Sequence, residues 1–286
     1  MSLDWRENYL SINEKDKYSV LMSVYHKEKP EYLSQSIKSM VEQSLPPHEF
    51  VLVKDGPLTP ELDKIINNFD KQYPNLFNIV NLPKNRGIGS AANAGLSECK
   101  CDLIVKMDAD DISRKDRCEL QIREFMLDSE LDIIGSQLVE FDSDISNVTA
   151  VRAVPTEHDD IVKFAKRRSP FNNQTVVYKK STVLSVGGYS GLKRCEDYDL
   201  FIRLLHNGAR SKNIDEGLVY FRLNSDAYAR RGTFKNTSAV IKSRYDSMRI
   251  GFSSPIDFII AVLGQLFIAI LPNKLKNWLY IKFLRG

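Results

Sequence analysis

The chain is poor in the features that staple small secreted proteins or thread a chain through a bilayer. It has four cysteines in 286 residues, Cys99, Cys101, Cys118 and Cys195. They make no two-pair zinc pattern and no histidine lies near Cys99 and Cys101, so small buried thiols in a reducing compartment are expected. The most apolar stretch, Phe258–Leu271, has 14 residues and stops at Pro272. As a helix it would extend about 21 Å, short of the roughly 30 Å hydrocarbon core of a membrane. The first residues, Met1–Asn8, hold no apolar segment, so no signal peptide is expected, and the Asn-x-Ser/Thr matches at Asn147, Asn173 and Asn236 carry no weight as glycosylation sites. There is no internal repeat and no low-complexity linker. Hydrophobic residues make up 43% and charged residues 27%, which excludes a disordered or fibrous chain. The length suits one large α/β domain, or one domain with an appendage.

Net charge is only +3, but it is unevenly spread. Segment 227–286 holds ten Lys or Arg against two acids, a net +8, and the other 226 residues carry 30 basic and 35 acidic side chains, a net −5. A basic tail on a mildly acidic body points to an anionic surface, lipid or nucleic acid. Lys274, Lys276, Lys282 and Arg285 are interleaved with Leu275, Trp278, Leu279, Tyr280 and Phe283. Cations mixed with aromatics suit the lipid interface. The alternative is a helical hairpin packed on the body or on a second copy, which leaves a homodimer open.

The body alternates in type. Residues 18–24, 50–53, 78–82 and 103–107 are apolar runs that predict buried strands. Between them, 31–44, 60–73 and 88–97 predict helices. Such alternation means βαβ units and a mostly parallel sheet, whose functional residues gather past the carboxyl ends of the strands. That rule selects Tyr25–Glu28, Asp55, Asn85–Gly89 and Asp108–Asp111. Further on, Leu131–Phe141, Gln174–Tyr178 and Leu218–Leu223 read as strands, and Tyr198–Leu205 as a helix.

Asp108, Asp110 and Asp111 place three carboxylates within four positions of a buried strand's end. Hard oxygen donors so placed favour Mg²⁺ or Mn²⁺; the plainer reading is an acidic turn capping a helix that begins near Ser113. Gly87-x-Gly89-x-x-Ala92 matches a dinucleotide fingerprint, so a nicotinamide enzyme is a candidate. Yet the match does not follow the first strand, and four residues separate it from the strand before it. The remaining reading is a loop and helix start in which Arg86 and backbone amides face phosphate or ribose, or plain helix–sheet packing. Asp55, before Gly56-Pro57, can accept from an imide N–H or be part of a turn. Glu196 and Asp197 follow Gly187-Gly188-Tyr189. A carboxylate opening a helix is a cap or, where a sugar hydroxyl must lose its proton, a base.

Together these segments resemble the family 2 glycosyltransferases of the nucleotide-sugar-binding GT-A fold. The pieces are Ser23-Val-Tyr25 with Glu28 and Tyr32-Leu33, Ser36 to Gln43, Asp55, Asn85-Arg86-Gly87 through Asn93-Ala-Gly95-Leu96, Asp108-Ala-Asp110-Asp111, Gly187-Gly188-Tyr189 and Glu196-Asp197. Their order and spacing over residues 18–223 are specific, and their phrasing is similar to bacterial O-antigen and capsule enzymes. The resemblance implies a metal-dependent, inverting transfer of galactose or glucose from a UDP-sugar to a lipid-diphosphate-linked saccharide. It implies that Tyr25, Glu28, Asp55, Arg86, Gly87, Asn93 and Asp108 bind the nucleotide sugar, and that Asp110, with Asp108 through water, holds Mn²⁺ or Mg²⁺. Asp197 would be the base, Glu196 its partner or an acceptor contact, and Gly188 and Tyr189 would shape the acceptor pocket. One departure is Asn173, where many relatives have His. The implied layout is a GT-A domain at 1–226, with its nucleotide half at about 18–112 and acceptor half at about 113–226, and a basic helical extension at 227–286. It would work in the cytoplasm, peripheral at the inner face of the plasma membrane, without nucleic acid. Two other classes stay open: an NAD(P)-dependent oxidoreductase, and a non-catalytic membrane- or nucleic-acid-binding protein.

Overall fold

The computed structural model describes residues 16–192, 194–223 and 234–270. Its first half is built as the alternation predicts: β1 (Tyr18–Val24), α1 (Pro30–Val41), β2 (Glu49–Lys54), α2 (Pro60–Gln72), β3 (Phe77–Asn81), α3 (Ile88–Glu98) and β4 (Leu103–Asp108). β1, β2 and β4 are buried along nearly their whole length because helices cover both faces of the sheet. Thr59 caps α2 by accepting from the Leu62 amide, and Pro60 opens the helix at its first turn.

The four strands pair in parallel in the order β3-β2-β1-β4. Beyond β4 the pairing is mixed. The chain continues through β5 (Ile112–Ser113), α4 (Arg117–Leu127), β6 (Leu131–Phe141), β7 (Val148–Arg152), α5 (His158–Ala165), a 3₁₀ turn at Asn173–Thr175, β8 (Val177–Lys179), α6 (Lys180–Ser185), α7 (Glu196–His206) and β9 (Arg210–Arg222). The sheet extends as β4-β8-β6-β9-β5, with β7 on β6. β8 is antiparallel to both neighbours, while β6 and β9 run parallel.

Three expectations shift. The helix foreseen near Ser113 starts at Arg117, because Ile112 and Ser113 are drawn into the sheet opposite Tyr220 and Val219. The strand foreseen at Gln174–Tyr178 is a 3₁₀ turn followed by three strand residues. The late strand at Leu218–Leu223 is the end of a 13-residue strand whose polar start hid it.

Two cores flank the sheet. One joins Leu33, Ile37, Met40, Leu62 and Ile66 to Val105 and Met107; the other joins Ala91, Ala92 and Leu96 to Ile104, Phe201 and Leu204. Helix α3 lies so close to β1 and β2 that a Cβ at Gly95 would fall inside the Leu21 and Val53 side chains. Its small residues therefore serve helix–sheet packing. Cys99, Cys101 and Cys118 are buried free thiols, as expected, and Cys195 is partly exposed.

The described residues end in a hairpin of α8 (Phe234–Arg249) and α9 (Pro255–Ile270). Arg244 of α8 sits on the Tyr198 ring of α7, and Arg167 bonds Asp257 of α9 at 2.7 Å. The hairpin is docked on the body, yet α9 leaves Ile256 67%, Leu263 61% and Phe267 60% exposed. Among the described residues no helix is long and apolar enough to cross a membrane. The cations and aromatics noted between Lys274 and Arg285 lie outside the described residues.

Candidate functional site: a carboxylate cleft past the end of β4

Strand β4 alternates its side chains between the two cores. Leu103, Val105 and Met107 enter one; Ile104, Lys106 and Asp108 face α3 and α7 on the other side. Asp108 thus ends the strand facing the cleft, and the chain turns there. The turn is held from three directions. Ser36 of α1 donates to the Asp108 carbonyl at 2.7 Å. The Arg222 amide, ending β9, donates to Asp111 Oδ1 at 3.1 Å, and Arg222 Nε donates to the Asp110 carbonyl at 3.2 Å. Arg222 Nη2 then reaches Gln35 Oε1 at 2.6 Å, with the guanidinium over the Tyr32 ring at 4.1 Å. The Ser36-to-Gln43 segment earns its place in the pattern here. Gln43 bonds Ser39, Ser113, Arg114 and Cys118, locking α1 to the acidic turn.

Negative charge is crowded in this turn. Burial first, then the Asp108 and Glu28 carboxylates, push Asp110 up to about 7. Asp111 is fully buried and held well above the ordinary carboxylate range by burial and by Asp110 and Asp108; its Oδ2 has no hydrogen-bond partner among the described residues. Burial also raises Glu28, which accepts from the Lys29 amide at 2.9 Å. No group of three His, Cys, Asp or Glu among the described residues is arranged to hold an ion. Asp108 and Asp110 are nevertheless hard oxygen donors in a turn where charge repels charge, and Asp111 carries an orphaned oxygen. Such a partial set fits Mg²⁺ or Mn²⁺ whose remaining ligands are waters and phosphate oxygens.

The opposite wall is the start of α7. Cys195 precedes it in a left-handed conformation, φ +60°, an uncommon strain for a residue with a Cβ. Asp197 Oδ1 accepts from the Tyr198 amide at 2.8 Å. Burial raises Asp197 to about 6; its amide bond opposes that rise, Asp108 adds to it, and Lys106 and Arg244 counter it. Burial and Asp197 raise Glu196 too, with Asp108 a smaller contributor. Asp108 therefore acts electrostatically on both walls, so the structure brings Glu28, Asp108, Asp110, Glu196 and Asp197 around one cleft. Gly89 of α3 lets the walls approach: a Cβ there would meet the Ser190 carbonyl at 3.2 Å and Glu196 Cβ at 3.5 Å.

The third wall follows β2. Both oxygens of buried Asp55 accept backbone amides, Oδ1 from Arg86 at 2.7 Å and Oδ2 from Gly87 at 3.0 Å. Its carboxylate builds the loop that leaves Arg86 exposed beside the start of α3. Gly87 caps that helix at φ +88°. Tyr25 sits half-buried past β1, edge-on to His26 at 5.7 Å.

Three residues stand elsewhere than their implied roles suggest. Asn93 does not offer its amide to a nucleotide. Its Nδ2 donates to the Tyr189 carbonyl and its Oδ1 accepts from the Tyr189 amide, both at 2.8 Å. Tyr189 is no surface contact for an acceptor: its ring is 4% exposed, with its hydroxyl 3.4 Å from that of Tyr178 and Lys106 Nζ 5.9 Å from its centroid. Gly188, at φ +70°, is fixed by Asn93 below and by Arg203 Nη2, which donates to its carbonyl at 2.8 Å. The Gly188-Tyr189 pair is thus a clamp between α3 and α7. Asn173, in the 3₁₀ turn, has a buried Oδ1 with no hydrogen-bond partner among the described residues.

Sequence reasoning missed four contributors. Lys106 is a lone cation in an otherwise apolar strand, which was a readable signal. Gln35, Arg222 and Arg244 were not: they meet the cleft from elements far away in the chain.

Residues 19–213 match the family model "Glycosyl transferase family 2". Over 269 residues the chain is 34% identical to the UDP-Gal:alpha-D-GlcNAc-diphosphoundecaprenol beta-1,3-galactosyltransferase of Escherichia coli, covering 94% of this chain and 97% of that one. It is 33% identical over 273 residues to the amylovoran biosynthesis glycosyltransferase AmsE of Erwinia amylovora, covering 94% and 100%. Among solved structures, the mannosyltransferase PcManGT of Pyrobaculum calidifontis, in complex with GDP-Man and Mn²⁺, superposes with a TM-score of 0.63 over 95% of this chain and 77% of that one, at 15% identity, a likeness of fold. With that model matching more than half of the chain, and two relatives above 30% identity over nearly its whole length, the chain belongs to glycosyl transferase family 2.

Proposed function

We propose that the protein is an inverting hexosyltransferase that moves galactose or glucose from a UDP-sugar to a saccharide on a lipid diphosphate during assembly of a bacterial surface polysaccharide. The observation that carries this reading is the near full-length likeness to an enzyme named for UDP-Gal and a diphosphoundecaprenol-linked acceptor. Crowded carboxylates on facing walls support it, since the reaction needs both a place for a leaving diphosphate and a separate base.

In this reading an acceptor hydroxyl attacks the anomeric carbon as the bond to UDP breaks. Asp197 takes the hydroxyl proton, and attack from the face opposite UDP inverts the configuration. Burial suits Asp197 to the task, because a carboxylate raised to about 6 is ionised at neutral pH yet more basic than a solvated one. Glu196 orients the acceptor. Lys106, behind both, opposes the repulsion among them. Tyr25, Arg86 and the loop built by Asp55 receive uracil and ribose, and Gly87 leaves the α3 amides open to phosphate. Asp110 and Asp108 would hold Mg²⁺ or Mn²⁺, which when bound neutralises charge developing on the diphosphate. The nicotinamide reading loses support, because Gly89 of its glycine pattern is taken up by the close approach of α3 to Ser190 and Glu196. The lipid-linked acceptor and the exposed apolar face of α9 favour work at the cytoplasmic face of a membrane.

The direct test is a panel of UDP-sugars offered with Mn²⁺ and a synthetic diphosphate-lipid saccharide. One donor should give product, with the new linkage β by NMR from an α-linked donor. Retained configuration, or turnover only with a nicotinamide cofactor, would overturn the reading.

A further inference from the structure

Helix α8 sends one cation inward. The Arg244 guanidinium lies on the Tyr198 ring, 3.6 Å from its centroid, one residue beyond Asp197. Its Nη1 is buried and has no hydrogen-bond partner among the described residues. Burial lowers it to about 10, and the Asp197 carboxylate counters that fall. A buried donor left unmade costs more than a made bond returns. Such a group is retained where a ligand supplies the acceptors. The Tyr198 ring fixes the guanidinium plane through its face, which leaves the N–H edges for that ligand.

The ligand must be anionic or rich in acceptor oxygens, because the buried group left without an acceptor is a guanidinium N–H. It must also lie on the α7 side of the cleft, across from the acidic turn and from the Asp55–Gly87 loop. That is the acceptor side, where a sugar with its hydroxyl at Asp197 would carry its own phosphates. We propose that Arg244 binds the diphosphate of the lipid-linked acceptor, so that the C-terminal hairpin completes the acceptor site. The inference rests on the proposed function and deepens it by naming how the acceptor's diphosphate is read.

The test compares wild type, Arg244→Gln and Arg244→Lys on two acceptors: N-acetylglucosamine joined to an alkyl chain through diphosphate, and the same sugar on the same chain without phosphates. Melting temperatures check that each variant folds. Arg244→Gln should raise KM for the diphosphate acceptor at least tenfold, leave KM for the UDP-sugar in place, and shrink the preference for diphosphate over its absence by the same factor. Arg244→Lys, keeping the charge, should recover part of that preference. Equal losses on both acceptors, or a shifted pH profile of kcat, would show Arg244 acting through Asp197 and overturn the inference. Calorimetry with inorganic pyrophosphate and UDP-saturated protein decides the case without turnover: binding should weaken at least tenfold in Arg244→Gln, and equal affinity in both proteins overturns the inference. If wild type uses neither acceptor, the functional reading fails, and this last comparison still decides the role of Arg244.

Discussion

Asp197 joins two opposed demands in one side chain. Burial lifts it to about 6, so its ionised form is disfavoured by the fold yet required for the deprotonation proposed above. The rate should therefore be full above pH 7 and fall about tenfold per unit below 6, read as kcat/KM against pH. Stability runs the other way. A folded value of about 6 above an unfolded value near 3.9 means the native state holds the proton more tightly, so stability declines as pH rises from about 4 to 6 and then levels. Asp197→Asn should abolish transfer, leave UDP affinity within about twofold, and unfold no earlier than wild type at pH 8, with a gain on the order of 1 kcal/mol. Normal turnover in that variant would remove Asp197 as the base. Gly188 gives a steric counterpart. An alanine there must hold φ +70° and place its Cβ 2.7 Å from Asn93 Oδ1. Gly188→Ala should destabilise by about 1–3 kcal/mol in chemical denaturation. An unchanged midpoint would mean the clamp yields freely.

At the scale of elements, α3 shows how one stretch can satisfy two readings. Its small residues look like a phosphate loop and also like a packing face. Gly95 settles the second: a larger side chain has no room between Leu21 and Val53. Gly95→Val should cost about 1–3 kcal/mol through overpacking despite replacing a poor helix former, measured by thermal or urea unfolding. A neutral result would mean α3 can lift off the sheet. The same contrast explains what was legible. β1, β2 and β4 announce themselves because burial on both faces demands unbroken apolar runs, and Asp108–Asp111 stands out at the end of one. Asp55 was legible as a carboxylate past the end of a strand, but its bonds to Arg86 and Gly87 were not, because a carboxylate looks the same in sequence whether it meets ligand or backbone. β9 began as Arg-Ser-Lys-Asn, which no periodicity marks as strand; pairing along β6 makes it one. Arg222 and Gln35 are 187 positions apart, so their bond has no local trace.

The whole molecule is organised around an uneven charge. Carboxylates converge in the cleft, and the basic surplus lies in the C-terminal segment. A cation that relieves the acidic turn should be required: chelation with EDTA should abolish transfer and Mn²⁺ restore it, and full activity after exhaustive chelation would remove the metal from the reading. The hairpin presents an apolar face beside cations, with Lys163, Lys166 and Arg167 lining a surface hollow next to Asp257. Burying each of Ile259, Leu263 and Phe267 in a bilayer contributes up to about 1.5–3 kcal/mol, discounted by what already contacts protein. Ile259→Asn with Leu263→Asn should cut sedimentation with anionic vesicles at least fivefold while leaving UDP affinity in place. Equal sedimentation would assign that face to another partner.

The stitching of the acidic turn by Arg222 also has a consequence for synthesis. A ribosome delivers Asp108, Asp110 and Asp111 more than a hundred residues before the arginine whose amide and guanidinium hold them. Until β9 emerges, the nascent chain carries its carboxylates beside an unfinished sheet, with β6 and β5 lacking their shared neighbour β9. The acidic turn therefore takes its final form only after β9 has been made. The interval is also when the protein most needs protection from aggregation, since its longest-range pairings form last.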